Sequence, residues 1–322
     1  MATPAAVVRP RTKTASGRLR GADELAWAFT VFFAGLILVV TVLLVYQLWI
    51  HSSPAKEKFG LGFLFSRLWN PVTDQFGAAP FIYGTVVTSF LALLISVPLG
   101  VGAAIYLSEL AAPNLSAALT FLVELLAAVP SVIFGLLAIF TLIPLMRDYI
   151  GPALQSVLGS TPLFSGPVFG VGYMTAGIIL AVMTFPFIIS VSREALMAVP
   201  REQREAALAL GATKWESTWQ VVVPFARLGI MGSVFLGLAR ALGETMAVTM
   251  VIGNDPAIHT SLLSPGYTIA AVVANEFTEA TGKTYQAALV ELGLVLFLLT
   301  IVINAVAQLL IVLTTKKGSA KG

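Results

Sequence analysis

Apolar residues in this chain gather in long runs, separated by shorter segments where charges and prolines collect. Six runs reach the length of about 20 residues that a helix needs to cross a bilayer: 27–50, 85–107, 117–145, 170–191, 228–252 and 287–313. The third is too long for one straight span and carries Pro130 in its middle, so it kinks or splits there. The first is too long for a cleaved signal peptide, and no small-residue cleavage site follows it cleanly. The pattern predicts an all-α polytopic membrane protein with six transmembrane helices. Its parts are a basic tail at 1–24, without apolar periodicity and expected to be disordered, and a first transmembrane helix at 25–52. An external loop follows at 53–84, then a core at 85–315 with five further spans and a cytoplasmic loop at 193–227, and a tail at 316–322.

Composition agrees: 57% of residues are hydrophobic and 11% charged, where a soluble domain carries about a quarter charged. The placement of positive residues then gives an orientation. Arg9, Arg11, Lys13, Arg18 and Arg20 put the N-terminus in the cytoplasm, and six crossings return the C-terminus, with Lys316, Lys317 and Lys321, to the same side. The loop between the fourth and fifth runs, with Arg193, Arg201, Arg204, Lys214 and Arg227, falls on that side too. The chain has no cysteine, which excludes disulfides and thiolate metal sites. His51 and His259 fall in predicted loops with nothing to mark them as functional, and no cofactor, metal or nucleic acid is implied.

The cytoplasmic loop has structure of its own. Pro200 suits the first residue of a helix, Glu202 to Leu210 are good helix formers, and Gly211 suits the left-handed residue that ends one. Thr213 with Glu216 is a capping box that starts a second helix, and Pro224 is expected to stop it near the membrane. On the residues alone, this corner is either a plain solvated connector or a part on which another chain acts. No G-x-x-x-x-G-K-[ST] phosphate loop occurs, so a protein driven by ATP would need a partner chain to bind it.

The fifth run carries two full charges, Arg240 and Glu244. Arg240 lies about twelve residues, roughly 18 Å, into the run. Two central charges cost roughly 5–7 kcal/mol on insertion scales, while about ten aliphatic and Phe residues return roughly 3–6 kcal/mol, so the helix is built to face other helices or water. Read as one helix, the run puts Arg240 and Glu244 four apart on one face, beside a strip of Ser233, Gly237 and Ala241 where a second helix can approach. Either the two charges neutralise each other inside the bundle, or Arg240 offers its planar fork to an oxyanion crossing the membrane while Glu244 holds and releases that charge. Glu124 is either a partner for Arg240 or a protonated structural group, and Glu291 is placed near enough to the outer interface to reach it.

Two motifs carry a family resemblance. Glu205-Ala206-Ala207, three residues, Gly211, nine residues, then Val221, any residue, Val223 and Pro224 resembles the EAA loop of ABC-type importer permeases, with valines where that family usually has Ile and Leu. The stretch "LARALGETMAVTMVIGN" is similar to the phosphate-specific transport permeases of the C type. So are "YGTVVTSFLALLISVPLGVGAAIYLSEL", "VPSVIFGL", "NEFTEA" and "ALVELGLVLFLLT". The resemblance implies the type I ABC importer permease fold in a bacterial plasma (inner) membrane. It also implies inward phosphate transport by this and a second permease subunit, a separate ATPase pair and an external phosphate-binding protein. By the same resemblance, Glu205, Ala206, Ala207, Gly211 and Pro224 form the coupling helix that docks on the ATPase, and Arg240 and Glu244 serve transport.

Alternatives are weighed by the same residues. A permease for molybdate, sulfate or phosphonate would use Arg240 equally well. A stand-alone anion transporter would leave the cytoplasmic corner unexplained and would favour an inverted repeat that the sequence lacks. An intramembrane enzyme is set aside, because no H-E-x-x-H occurs and Asp23, Asp74, Asp148 and Asp255 all lie outside the runs.

Overall fold

A computed structural model describes the backbone of residues 15–319 and the side chains of 24–309. The basic tail side chains, Arg9 to Arg20 and Lys316 to Lys321, lie outside the described side chains. Among the described residues the chain is helical without a named strand. The first helix, α1 (Ala15–His51), forms a unit of its own through Ile50. It begins before the apolar run and takes in part of the basic tail, where Arg, Ala and Leu favour helix. His51, read from sequence as a loop residue, is its last residue.

The second unit, His51–Gly322, holds the rest. Here α2 (Ser53–Phe59) precedes the long α3 (Ala79–Leu110), and α4 (Pro113–Ala127) leads to α5 (Ser131–Leu158). Then come α6 (Tyr173–Met197), α7 (Arg201–Ala209), α8 (Lys214–Gly243), α9 (Met246–Val251), α10 (Ile269–Glu276) and α11 (Lys283–Ser319). Six helices are long and apolar enough to cross a membrane: α1, α3, α5, α6, α8 and α11. Large apolar side chains such as Phe90, Phe121, Phe140, Leu228 and Leu298 cover the outside of this unit. Hydrocarbon tails are as apolar as leucine, so this face costs nothing in lipid.

One sequence expectation holds and three change. The third run splits at Pro130, which lacks an N–H and takes extended dihedrals (φ −59, ψ 140), so the span starts at Ser131 and the run's first half is the separate α4. The fifth run ends as a helix at Gly243, well short of residue 252. Pro224 does not stop a helix: α8 runs through it, because a π turn at Thr218–Val222 widens the spiral just before. Pro200 sits one place earlier than expected, as the cap residue of α7.

The core lies in three tiers. One end is built from Phe63, Phe76, Phe81, Tyr267, Ile269, Tyr285 and Leu289. The middle holds Phe134, Tyr173, Leu180, Met183, Val248 and Ile252. The end beside α7 holds Ile105, Leu107, Ile189, Leu196, Val199 and Val222. The predicted loop at 53–84 is therefore largely folded, with Ala55, Phe63 and Phe76 inside the first tier. Glu276 is shared there by two donors, Trp69 Nε1 at 2.8 Å and the Tyr285 hydroxyl at 2.6 Å. Burial pushes the Tyr267 phenol up to about 12, so it stays protonated and accepts from Asn275 Nδ2 at 2.9 Å. Glu291, expected near the interface, is 7% exposed within α11, with Oε2 unbonded, because α11 turns that face into the bundle.

Candidate functional site

The charged residues of the fifth run sit at a break in the helix. After Gly243 the backbone of Glu244 is extended (φ −70, ψ 123), and the short α9 starts again at Met246. Ala247, Val248 and Val251 of α9 are buried in the middle tier with Phe134 of α5 and Ala241 of α8. Glu244 Oε1 accepts the Ala247 N–H at 3.4 Å, which ties the carboxylate to the first turn of α9. Arg240 and Glu244 thus do not share a helix face, and no ion pair joins Arg240 to Glu244 or Glu124 among the described residues. Glu124 is exposed on α4.

Arg240 has an aromatic neighbour instead. Its Cζ lies 4.3 Å from the ring centroid of Phe187, on α6. Arg240 Nε is buried with no hydrogen-bond partner. A ring face attracts the guanidinium through its quadrupole, worth about 2 kcal/mol where water is excluded, yet takes none of its N–H bonds. The fork is held and remains free to donate. Close packing of α6 on α8 supports this placement: Ser233 and Ala241 are buried as the strip predicted, and the Ser192 and Ser233 hydroxyls meet at 2.7 Å. Nothing lies within 4 Å of where a side chain at Gly243 would begin, so the break borders open space.

The second predicted site is the corner at 198–213. Gly211 takes φ +89, the left-handed residue that closes α7. The capping box is present in full, with Thr213 Oγ1 accepting the Glu216 N–H at 3.3 Å and Glu216 Oε2 accepting the Thr213 N–H at 2.8 Å. Glu205, Ala206, Ala207 and Gly211 all fall in or directly after α7, while Pro224 lies a π turn further on, inside α8. Sequence reading missed two partners here. Phe187 carried no signal in an apolar run. Glu109, at the end of another run, reads as an interface charge, yet it pairs with Arg204 of α7 at 2.9 Å. His259 lies in a loop, as expected, and pairs with Asp255 at 3.0 Å.

Comparison with known proteins follows from this geometry. Residues 96–316 match the family described as "Binding-protein-dependent transport system inner membrane component". The chain is 47% identical over 290 residues to the phosphate transport system permease protein PstC of Mesorhizobium japonicum, covering 89% of each chain. It is 42% identical over 322 residues to PstC of Xylella fastidiosa strain Temecula1, covering 97% of this chain and 99% of the relative. The chain belongs to the PstC permease family. A chain of a bacterial alginate ABC transporter shares the fold, with a TM-score of 0.57 at 16% identity over 90% of this chain and 96% of that one. This PstC-family chain is therefore a multi-pass membrane protein with the type I ABC importer permease fold, a transport subunit and not an enzyme. The matched region runs from within α3 into α11, so it contains the broken fifth span and the corner, and excludes α1 and α2.

Proposed function

We propose that this chain is a permease subunit of an ATP-driven importer of inorganic phosphate, in which Arg240 receives the anion at the break in α8. The observation that carries this reading is a membrane-embedded guanidinium held over Phe187 with no carboxylate partner. The names of relatives over 40% identical, phosphate transport system permease proteins, support the cargo. Irregular backbone at membrane depth is tolerated only where protein or a water-filled cavity lines it. The exposed Gly243 beside the break therefore calls for a second permease subunit on that face, with the translocation path between the two. Glu244, fixed to α9, stands as a negative gate beside the path, and Glu124 serves elsewhere, on an exposed face of α4. The α7 corner, with Glu205, Ala206, Ala207 and Gly211, docks on a separate ATPase pair in the cytoplasm. Both termini lie on that side of the bacterial inner membrane, and an external phosphate-binding protein meets the opposite face. Neutralising the charge as Arg240→Gln removes charge-assisted hydrogen bonds worth about 1.5–3 kcal/mol, so ATP-dependent phosphate uptake by the reconstituted complex falls roughly 10- to 100-fold. Full uptake by that variant would leave the charge a structural role only. Sulfate and molybdate, added as competitors in the same assay, separate phosphate from other oxyanions.

A further inference from the structure

We infer that Arg204, through Glu109, is the joint that carries displacement of α7 into the membrane-spanning bundle. The inference rests on the transport reading above and names the residue through which its coupling acts.

The reason lies in how α7 is attached. No residue of α7 is buried, so apolar packing does not hold it to the bundle. Its backbone passes through short hydrogen-bonded turns at both ends, and among the described residues Arg204 is the one α7 side chain that hydrogen-bonds beyond the helix. That side chain makes four bonds. Nε and Nη2 grip the Glu109 carboxylate as a fork, at 3.1 and 2.9 Å. Nη1 donates to the Val199 carbonyl, and Nη2 also donates to the Leu196 carbonyl at 2.7 Å. Leu196 lies in the last turn of α6 and Val199 two residues past its end, where the helix dipole favours a cation. Glu109 sits in the π turn Tyr106–Leu110 that ends α3. One guanidinium therefore fastens three elements together: α7, the end of α6 and the end of α3.

Burial makes the fastening firm. The Arg204 and Glu109 side chains are 21% and 10% exposed, and removing one partner of such a pair strands the other charge. The geometry also gives the force a destination. Helices α3 and α6 pack along each other, with Ala92, Thr88, Ala176 and Leu180 buried. Helix α6 in turn carries Phe187, the ring that holds Arg240. A push on α7 thus reaches the anion site through the α3–α6 pair. Arg204 touches no cargo and acts as a positioning residue.

The test uses the whole complex in proteoliposomes, with phosphate uptake and ATP hydrolysis measured together. In Arg204→Ala and Glu109→Gln, ATP hydrolysis stays within about twofold of the unaltered complex, while phosphate moved per ATP falls about tenfold or more. Arg204→Lys lies between, since an ammonium keeps the charge but not the fork. Glu109→Gln keeps the side chain's shape, which guards against simple misfolding. The chain has no cysteine, so the pair Arg204→Cys with Glu109→Cys supplies its only two thiols. That pair is uncoupled as made, and a thiol-reactive cross-linker of the original reach restores the ratio. Uptake and hydrolysis that decline in parallel in every variant, or an unchanged ratio in Glu109→Gln, would overturn the inference. An unaltered complex that hydrolyses ATP without importing phosphate would overturn the transport reading instead, and that failure shows before any variant is made.

Discussion

Arg240 stands over the face of Phe187 with its Nε buried and unbonded, and the energetics of that position decide how it is understood. A central charge costs roughly 2.5–3.5 kcal/mol to insert, and the ring returns about 2 kcal/mol. A carboxylate within reach would settle the difference in the resting protein, yet Glu244 spends an oxygen on α9. The unsettled remainder favours any anion that arrives. A different single position fixes how the outer loop lies across the bundle. A side chain begun at Gly84 would meet the Tyr267 carbonyl oxygen at 2.0 Å, and a backbone atom cannot swing aside as a flexible side chain can. Gly84→Ala is thus expected to cost about 1–3 kcal/mol and to lower the thermal midpoint of the detergent-solubilised complex by several degrees. Gly102→Ala, within α3 where nothing lies within 4 Å, leaves the midpoint unchanged or slightly raised in the same measurement.

At the level of elements, the corner between α7 and α8 depends on one left-handed residue. Nothing of this chain lies within 4 Å of a side chain begun at Gly211, so a substitution there acts within the chain through its backbone. At φ +89 an ordinary L-residue is strained, by about 1–2 kcal/mol at left-handed geometry. Gly211→Leu is expected to insert normally and lose phosphate uptake, whereas Gly211→Asn, which tolerates positive φ, retains most of it. Wild-type uptake with Leu at this position would separate the corner's geometry from transport. This corner was legible in the sequence because its determinants are local: a capping box, a glycine and a run of helix formers. The apolar runs were legible for the same reason. The break at Gly243–Thr245 was not. Gly-Glu-Thr within an apolar run reads as continuing helix, and the packing of Ala247, Val248 and Val251 against α5 and α6 joins residues far apart in sequence. Arg204 and Glu109, far apart in sequence, were illegible as a pair because each alone reads as an ordinary interface charge.

For the molecule as a whole, the orientation inferred from basic residues is open to direct measurement. With no native cysteine, single cysteines report which side they face. Leu210→Cys, 90% exposed after α7, is expected to react with a membrane-impermeant maleimide only from the cytoplasm, and Glu279→Cys, exposed beyond α10, only from outside. Labelling of both from one side would refute the six-crossing topology. The π turn at Thr218–Val222 has a consequence at this scale as well. It amounts to one surplus residue in the winding of α8, and every side chain above it inherits the resulting phase. Excising the surplus residue would leave the phase nearly as it is, because the wide turn already absorbs it, whereas closing the turn to ordinary helix with every residue kept would rotate all that follows by up to about 100°. Arg240 would swing off its aromatic seat without being altered itself. The azimuth of the cargo-facing cation is thus written several turns away, in the spacing of a segment that touches no cargo.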